Sequence, residues 1–272
     1  MPNPYISGTG FYLPPRVVTN EELATYMDTT DEWIQERTGI KERRYVEPGE
    51  GPSDLAIPAT EQALEMAGIE VKDIDFMIFA TSTPDFYAPG AGCLLQDKMG
   101  FNEIGALDIR VQCSGFLYGL SIAEQYIKTG VFKNILLIGA EVQSTAMDLT
   151  NEGRDTAVIF GDGAGAAIIS ATAEDRGILS THMHSEGKYL KELWLESPAS
   201  NAGHPRISSN DLNDGKQYLK MNGREVFRHA VTRFPEVIHE CLEKNNLTTD
   251  DIDLLIPHQA NLRITQMVQK KL

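Results

Sequence analysis

One unit occurs twice in this chain, and the repeat constrains the fold more than any other feature. A helical run ending in Ala63-Leu64-Glu65-Met66-Ala67-Gly68 leads to Asp73-Ile74-Asp75 and the apolar run Phe76 to Ala80. A second ending in Cys241-Leu242-Glu243-Lys244-Asn245 leads to Asp251-Ile252-Asp253 and Leu254 to Ile256. Matching element order around the tripeptide predicts a duplicated architecture rather than a chance match. The boundary falls near residue 171, giving halves at 1–171 and 172–272. The first copy continues to Ile168-Ile169, whereas the second reaches Leu272 soon after its strand. The second half is therefore expected to be incomplete, with open sheet edges and exposed apolar surface unless another chain covers them.

Short β-type runs alternate with longer helical ones, the pattern of an α/β protein with a largely parallel sheet. The runs predict strands at Phe76 to Ala80, Ala106 to Val111, Ile135 to Ile138, Ala157 to Phe160 and Leu254 to Ile256. They predict helices at Asp31 to Arg37, Asp54 to Met66, Gly115 to Lys128, Arg224 to Glu243 and Asn261 to Lys271. Thr29 and Glu32 read as a capping box for the first helix, and Gly39 as its stop. Glu47 to Pro52 and Ser197 to Lys216 are polar and rich in turn formers, and read as loops.

With 42% hydrophobic and 23% charged residues the chain is an ordinary globular one, which excludes disordered and disulfide-framework classes. Its net charge of -15 argues against a broad nucleic-acid surface, so an anionic partner must find a local basic patch. Cys93, Cys113 and Cys241 have no close spacing and fit reduced thiols in the cytoplasm. Pro2, Pro4, Pro14 and Pro15 break up the uncharged start, which does not read as a signal peptide, and no apolar run is long enough to span a bilayer. A soluble protein is expected.

Cys113 falls between the strand Ala106 to Val111 and the helix opening at Gly115. Unpaired N–H groups and the positive end of that helix favour a thiolate, so a lowered pKa and a nucleophilic role are expected. A buried structural cysteine is the commoner fate of a free thiol, and Cys93 and Cys241 are read that way. His258 follows Pro257 at the end of the strand Leu254 to Ile256, where open α/β sheets bind ligands, so it is placed for proton or oxyanion work. A single histidine is more often packed or solvent-facing. Duplication changes that weighting, because a pseudo-twofold could bring equivalent strand ends, and with them Cys113 and His258, to one cleft.

Gly161-Asp162-Gly163-Ala164-Gly165-Ala166 formally fits a dinucleotide fingerprint, yet Ala167-Ile168-Ile169-Ser170 follows instead of a helix. Close backbone packing is the better reading. His182 and His184 share one face of an expected strand but have no third metal ligand at a recognisable spacing.

Together these residues resemble the beta-ketoacyl-acyl carrier protein synthase III family, the thiolase-like enzymes that initiate fatty acid synthesis. The matching pieces are Thr30-Asp31-Glu32-Trp33-Ile34 with Arg37-Thr38-Gly39-Ile40-Lys41-Glu42-Arg43, Cys113-Ser114-Gly115-Phe116, Phe160 to Ala166, and Pro257-His258-Gln259-Ala260-Asn261-Leu262-Arg263. The resemblance implies a thiolase-like α/β fold of two similar halves in layered helices and sheets, commonly as a homodimer. It implies a Claisen condensation of an acyl-CoA primer with malonyl-acyl carrier protein through an acyl-Cys113 intermediate, with His258 as a hydrogen-bond donor. It places CoA against Trp33, Arg37, Arg154, Gly223 and Asn261, and docks the carrier protein on Arg263, Lys270 and Lys271. No cofactor or metal is implied; the CoA thioester is a substrate.

Two departures from the family pattern stand out. Val111-Gln112 precede the nucleophile where the family has small residues, which bears on the acyl pocket. The family's third catalytic residue, an asparagine in a later loop, and its terminal Gly-rich segment have no counterpart here, and Asn261 does not replace the former. The competing readings are a CoA- or acyl-binding fragment without condensing activity, and an acyltransferase that uses Cys113 and His258 without decarboxylation.

Overall fold

Strands buried on both faces read as unbroken apolar runs, and those in Phe76 to Ala80 and Ile135 to Ile138 become the middle of one sheet. The computed structural model describes residues 1–272, Ala202 by its backbone alone. In chain order the elements begin β1 (Asn3–Tyr12), β2 (Arg16–Thr19), α1 (Asn20–Leu23), α2 (Asp31–Thr38), β3 (Glu42–Tyr45) and α3 (Pro52–Ala67). There follow β4 (Phe76–Ala80), α4 (Ala91–Met99), β5 (Gly105–Ile109), α5 (Gly115–Lys128), β6 (Asn134–Val142), α6 (Arg154–Ala157) and β7 (Asp162–Thr172). The last are β8 (Leu193–Trp194), α7 (Ser209–Asn213), β9 (Lys220–Met221), α8 (Gly223–Lys244) and α9 (Leu262–Gln269).

Contacts divide the chain into two compact units that interleave along the sequence. One comprises Met1–Arg16, Arg44–Val142 and Gly161–Met183, the other Val17–Arg43, Gln143–Phe160 and His184–Leu272. This is a partition by packing, distinct in kind from the duplication boundary near residue 171.

In the first unit five strands lie in the order β1-β7-β6-β4-β5. β4 runs parallel to β5 and β6, and β7 antiparallel to β6 and β1. Alternate side chains separate the faces: Met77, Phe79, Leu136, Ile138 and Ile168 join Leu55, Ala59 and Leu95 of α3 and α4. Ile78, Ile135, Leu137 and Ile169 join Ala123 and Ile127 of α5. Each such large side chain, fully buried, contributes about 1.5–3 kcal/mol over leaving it in water. Gly8 and Gly10 let α3 lie directly on β1, since a Cβ there would stand 2.2 Å from the Ala63 carbonyl and 2.1 Å from that of Ala59.

In the second unit α2 ends at Gly39, whose φ of 77° is the left-handed stop expected there. Pro235 sits inside α8, and having no N–H it leaves the Val231 carbonyl without its helical donor. The Lys271 ammonium fills that place, donating to the Val231 oxygen at 2.7 Å.

Several sequence expectations are corrected. The start of α2 is capped by Thr30, whose hydroxyl accepts the Trp33 N–H at 3.1 Å, and not by Thr29. Ala157 to Phe160 is no strand: Ala157 closes α6 and Val158 turns its carbonyl to the buried Arg43 guanidinium, 3.1 Å away. The strand begins in the Gly-rich run instead, as β7, where small residues sit between β1 and β6. Close approach accounts for Gly163, whose Cβ would lie 3.2 Å from Leu13, but not for Gly165, which has open space. Leu254 to Ile256 has no ladder partner among the described residues and stays irregular, with Leu254 75% and Ile256 76% exposed. His182 and His184 lie outside any strand; the first bonds Ser180 and the second Glu240. No group of three or more potential metal ligands occurs among the described residues. The Ser197 to Lys216 loop contains α7, started by a Ser208–Asp211 capping box that the composition did not reveal.

Candidate active site

Three parallel strands of the first unit bring their carboxyl ends side by side. Ala80 at the end of β4 is in register with Ile109 of β5 and Gly139 of β6, and the Thr81 N–H donates to the Ile109 carbonyl at 3.1 Å. Beyond β5, Gln112 takes a φ of 47°, a left-handed conformation that costs a side-chain-bearing residue of order 1–3 kcal/mol. Cys113 sits at the middle of this turn, Gln112–Ser114, immediately before α5. Gly115 at the head of α5 presses on β4, since a Cβ there would come within 2.8 Å of the Ala80 Cβ.

Cys113 is an exposed free cysteine. Its thiol pKa is nevertheless raised, first by the desolvating mass of protein around the sulfur and then by the charge of Glu141. This corrects the expectation of a lowered pKa. The helix terminus favours thiolate, but the loss of water and then the neighbouring carboxylate outweigh it.

Glu141, near the end of β6, is the residue that sequence reasoning missed. Its Oε1 accepts the Ser82 N–H at 2.9 Å, and its Oε2 accepts the Ser82 hydroxyl at 2.9 Å and the Thr83 hydroxyl at 2.7 Å. The Thr83 Oγ1 in turn accepts the Val142 N–H at 2.8 Å. The turn after β4 is thus tied to β6 through one carboxyl group, which burial holds above the usual carboxylate range against these hydrogen bonds. A signal was present: a single acidic residue closes the otherwise apolar run Ile135 to Ala140.

The second unit assembles the residues expected to hold CoA. The guanidiniums of Arg37 and Arg154 lie over the Trp33 ring at 4.3 and 4.7 Å. Arg154 also donates to the Asp28 carbonyl at 3.0 Å. Because Arg154 rests directly on the indole, a planar base stacking between them must displace the guanidinium. Asn261 caps α9, accepting the Arg263 N–H at 2.8 Å, and its Nδ2 donates to the Arg37 carbonyl at 3.0 Å. Trp33, Arg37, Arg154 and Asn261 therefore form one cluster. Gly223 opens α8, and the nearest atom to a Cβ placed there is Met221 Cε, at 3.5 Å. His258 stands exposed in the irregular segment before α9, and desolvation by its surroundings lowers its pKa, favouring the neutral imidazole. Arg263 reaches the Phe227 ring at 6.0 Å, Lys270 is exposed, and Lys271 makes the bond to Val231.

A mixed sheet with a cysteine presented at the carboxyl ends of its parallel strands is the arrangement of the thiolase-like condensing enzymes. Residues 107–187 match the model for 3-oxoacyl-[acyl-carrier-protein] synthase III, and 242–272 match the model for its C-terminal part. The chain is 45% identical to a beta-ketoacyl-[acyl-carrier-protein] synthase III of Methylococcus capsulatus over 267 residues, 98% of this chain and 80% of that one. It is 43% identical to one of Xanthomonas campestris, covering 98% and 79%. The crystal structure of the 3-oxoacyl-[acyl-carrier-protein] synthase III from Aquifex aeolicus superposes with a TM-score of 0.87 at 41% identity, covering 98% of this chain and 80% of that one. The chain belongs to the beta-ketoacyl-[acyl-carrier-protein] synthase III family.

Proposed function

We propose that this chain condenses an acyl-CoA primer with malonyl-acyl carrier protein, the first carbon–carbon bond of fatty acid synthesis. The Cys113 thiolate adds to the thioester carbonyl, the carbon–sulfur bond to CoA breaks, and CoA leaves as a thiol with the proton Cys113 gave up. Malonyl-carrier thioester then loses CO2, and His258, as a neutral imidazole, donates a hydrogen bond to the enolate oxygen. The carbanion attacks acyl-Cys113, expels the Cys113 thiolate and leaves a 3-oxoacyl-carrier thioester. The observation that carries this reading is Cys113 on its strained turn at the strand ends, in a chain 43–45% identical to curated synthases.

In the same reading the half at 1–171 carries the nucleophile and the half at 172–272 the histidine. CoA lies on Trp33, Arg37, Arg154, Gly223 and Asn261. The acidic carrier protein meets Arg263, Lys270 and Lys271, with Lys271 also bracing α8. A homodimer is supported by the unpaired outer edge of β5 and by exposed Phe86, Tyr87, Phe116 and Leu117 in the same unit. Three free cysteines suit the cytoplasm, and none of the described helices is long and apolar enough to cross a membrane.

Incubation with acetyl-CoA and intact-mass measurement tests the reading: one acetyl increment is expected on the wild-type chain and none on Cys113→Ala. CoA binding with no increment on either chain would leave a binding module in its place. Acyl transfer without CO2 release from malonyl-carrier protein would indicate the non-decarboxylating alternative.

A further inference from the structure

Glu141 has no part in the chemistry just written, yet it stands where the nucleophile is held. In-register pairing of β4 with β5 and β6 sets three chain segments at one sheet end: the turn carrying Cys113, the turn Thr81 to Thr83, and Glu141 two residues past Gly139. An acidic side chain there gathers a backbone N–H and two hydroxyls from Ser82 and Thr83. We propose that Glu141 is a positioning residue for Cys113: it locks the turn after β4 beside the nucleophile and sets a carboxylate at the sheet end where the sulfur is held. This inference rests on Cys113 being the nucleophile.

The other charged and titratable groups on the surrounding elements are Asp108, Arg110, Asp85 and Tyr118. Asp108 of β5 accepts the Ala91 and Gly92 N–H groups at the start of α4, at 2.6 and 3.0 Å. Arg110 beyond β5 is exposed, Asp85 in the turn accepts the Ser53 hydroxyl at 2.6 Å, and α5 contributes the phenol of Tyr118. Glu141 is the charge that bears on the Cys113 sulfur, and it acts to keep the proton on. A neighbouring anion opposes thiolate directly by Coulomb repulsion, more strongly where water is sparse. A resting thiol so restrained resists oxidation and stray alkylation, since the thiolate is the reactive form.

The test is the pH profile of Cys113 alkylation by iodoacetamide, resolved from Cys93 and Cys241 by peptide mass. Glu141→Gln keeps the shape and removes the charge, and the midpoint is expected to fall by about one pH unit. Thr83→Val loosens the same turn while keeping the carboxylate, so a purely structural role predicts that both variants behave alike; no such fall is expected for T83V. Should E141Q not fold, Glu141→Asp withdraws the charge by one methylene and gives a smaller fall of the same sign. A midpoint unmoved in the folded charge variant, with Cys113 still alkylated, overturns the inference. Failure of wild-type Cys113 to take an acetyl group from acetyl-CoA would instead overturn the nucleophile reading beneath it.

Discussion

Gly115→Ala is the sharpest probe of how the nucleophile is held. A Cβ at 115 would stand 2.8 Å from the Ala80 Cβ, with Ala80 Cα next at 3.8 Å. Carbon atoms rest at about 3.5–4.0 Å, so the head of α5 and the end of β4 must part by roughly 1 Å. Overpacking of this size costs about 1–3 kcal/mol, of which alanine's better helix propensity returns up to about 1. Net destabilisation of about 0–3 kcal/mol is expected in urea unfolding. Activity should suffer more, because a reacting group displaced by about 1 Å loses on the order of 100-fold. The single contact also defines its own rescue. Ala80→Gly removes the opposing Cβ, so Gly115→Ala with Ala80→Gly should recover most of the acetylation rate by acetyl-CoA, despite about 0.5–1 kcal/mol lost for glycine in a strand. Wild-type acetylation in the single variant, or no recovery in the double, would refute the reasoning.

Three further outcomes are expected. Trp33→Ala should leave stability within about 1–2 kcal/mol, the worth of two partly exposed cation–π contacts, while weakening CoA binding about tenfold or more by calorimetry through loss of the stacking platform. Arg263→Glu should raise the apparent KM for malonyl-carrier protein more than that for acyl-CoA, measured in the separate half-reactions; equal losses would remove the docking role. The Asp211 carboxyl, held to about 2 first by the Ser208 hydroxyl, then by the Ser208 N–H and Lys216, should stay ionised well below its ordinary 3.8 in an NMR titration. Because its folded pKa is depressed, the stability it lends α7 is fully present above pH 3.8 and is lost as pH falls towards 2, so a titration near 3.8 would contradict the cap.

Local signals located most of the secondary structure. α5 runs from Gly115 to Lys128 and β4 from Phe76 to Ala80, each matching its predicted run residue for residue. Misreadings fell where a short apolar run has no periodicity of its own. Ala157 to Phe160 became a helical turn because Arg43, distant in sequence, takes the Val158 carbonyl. Leu254 to Ile256 stayed irregular because a strand is a property of a pair, and no described neighbour pairs with it.

The order of residues alone determined the family, since motifs such as Pro257-His258-Gln259-Ala260-Asn261 depend on chemistry at fixed spacing. The family resemblance also named Arg37, Arg154 and Asn261, which the fold brings together around Trp33. Tertiary structure decided the electrostatics of the nucleophile. A helix terminus argued for an acidic thiol, but burial around the sulfur and then the charge of Glu141 oppose it, and both arise only because parallel strands in register end together. It likewise decided the task of Lys271, whose partner is a carbonyl freed by a proline on another helix. Periodicity and capping act along the chain and can be read from it; charge and orphaned hydrogen-bond groups act across space and wait for the fold.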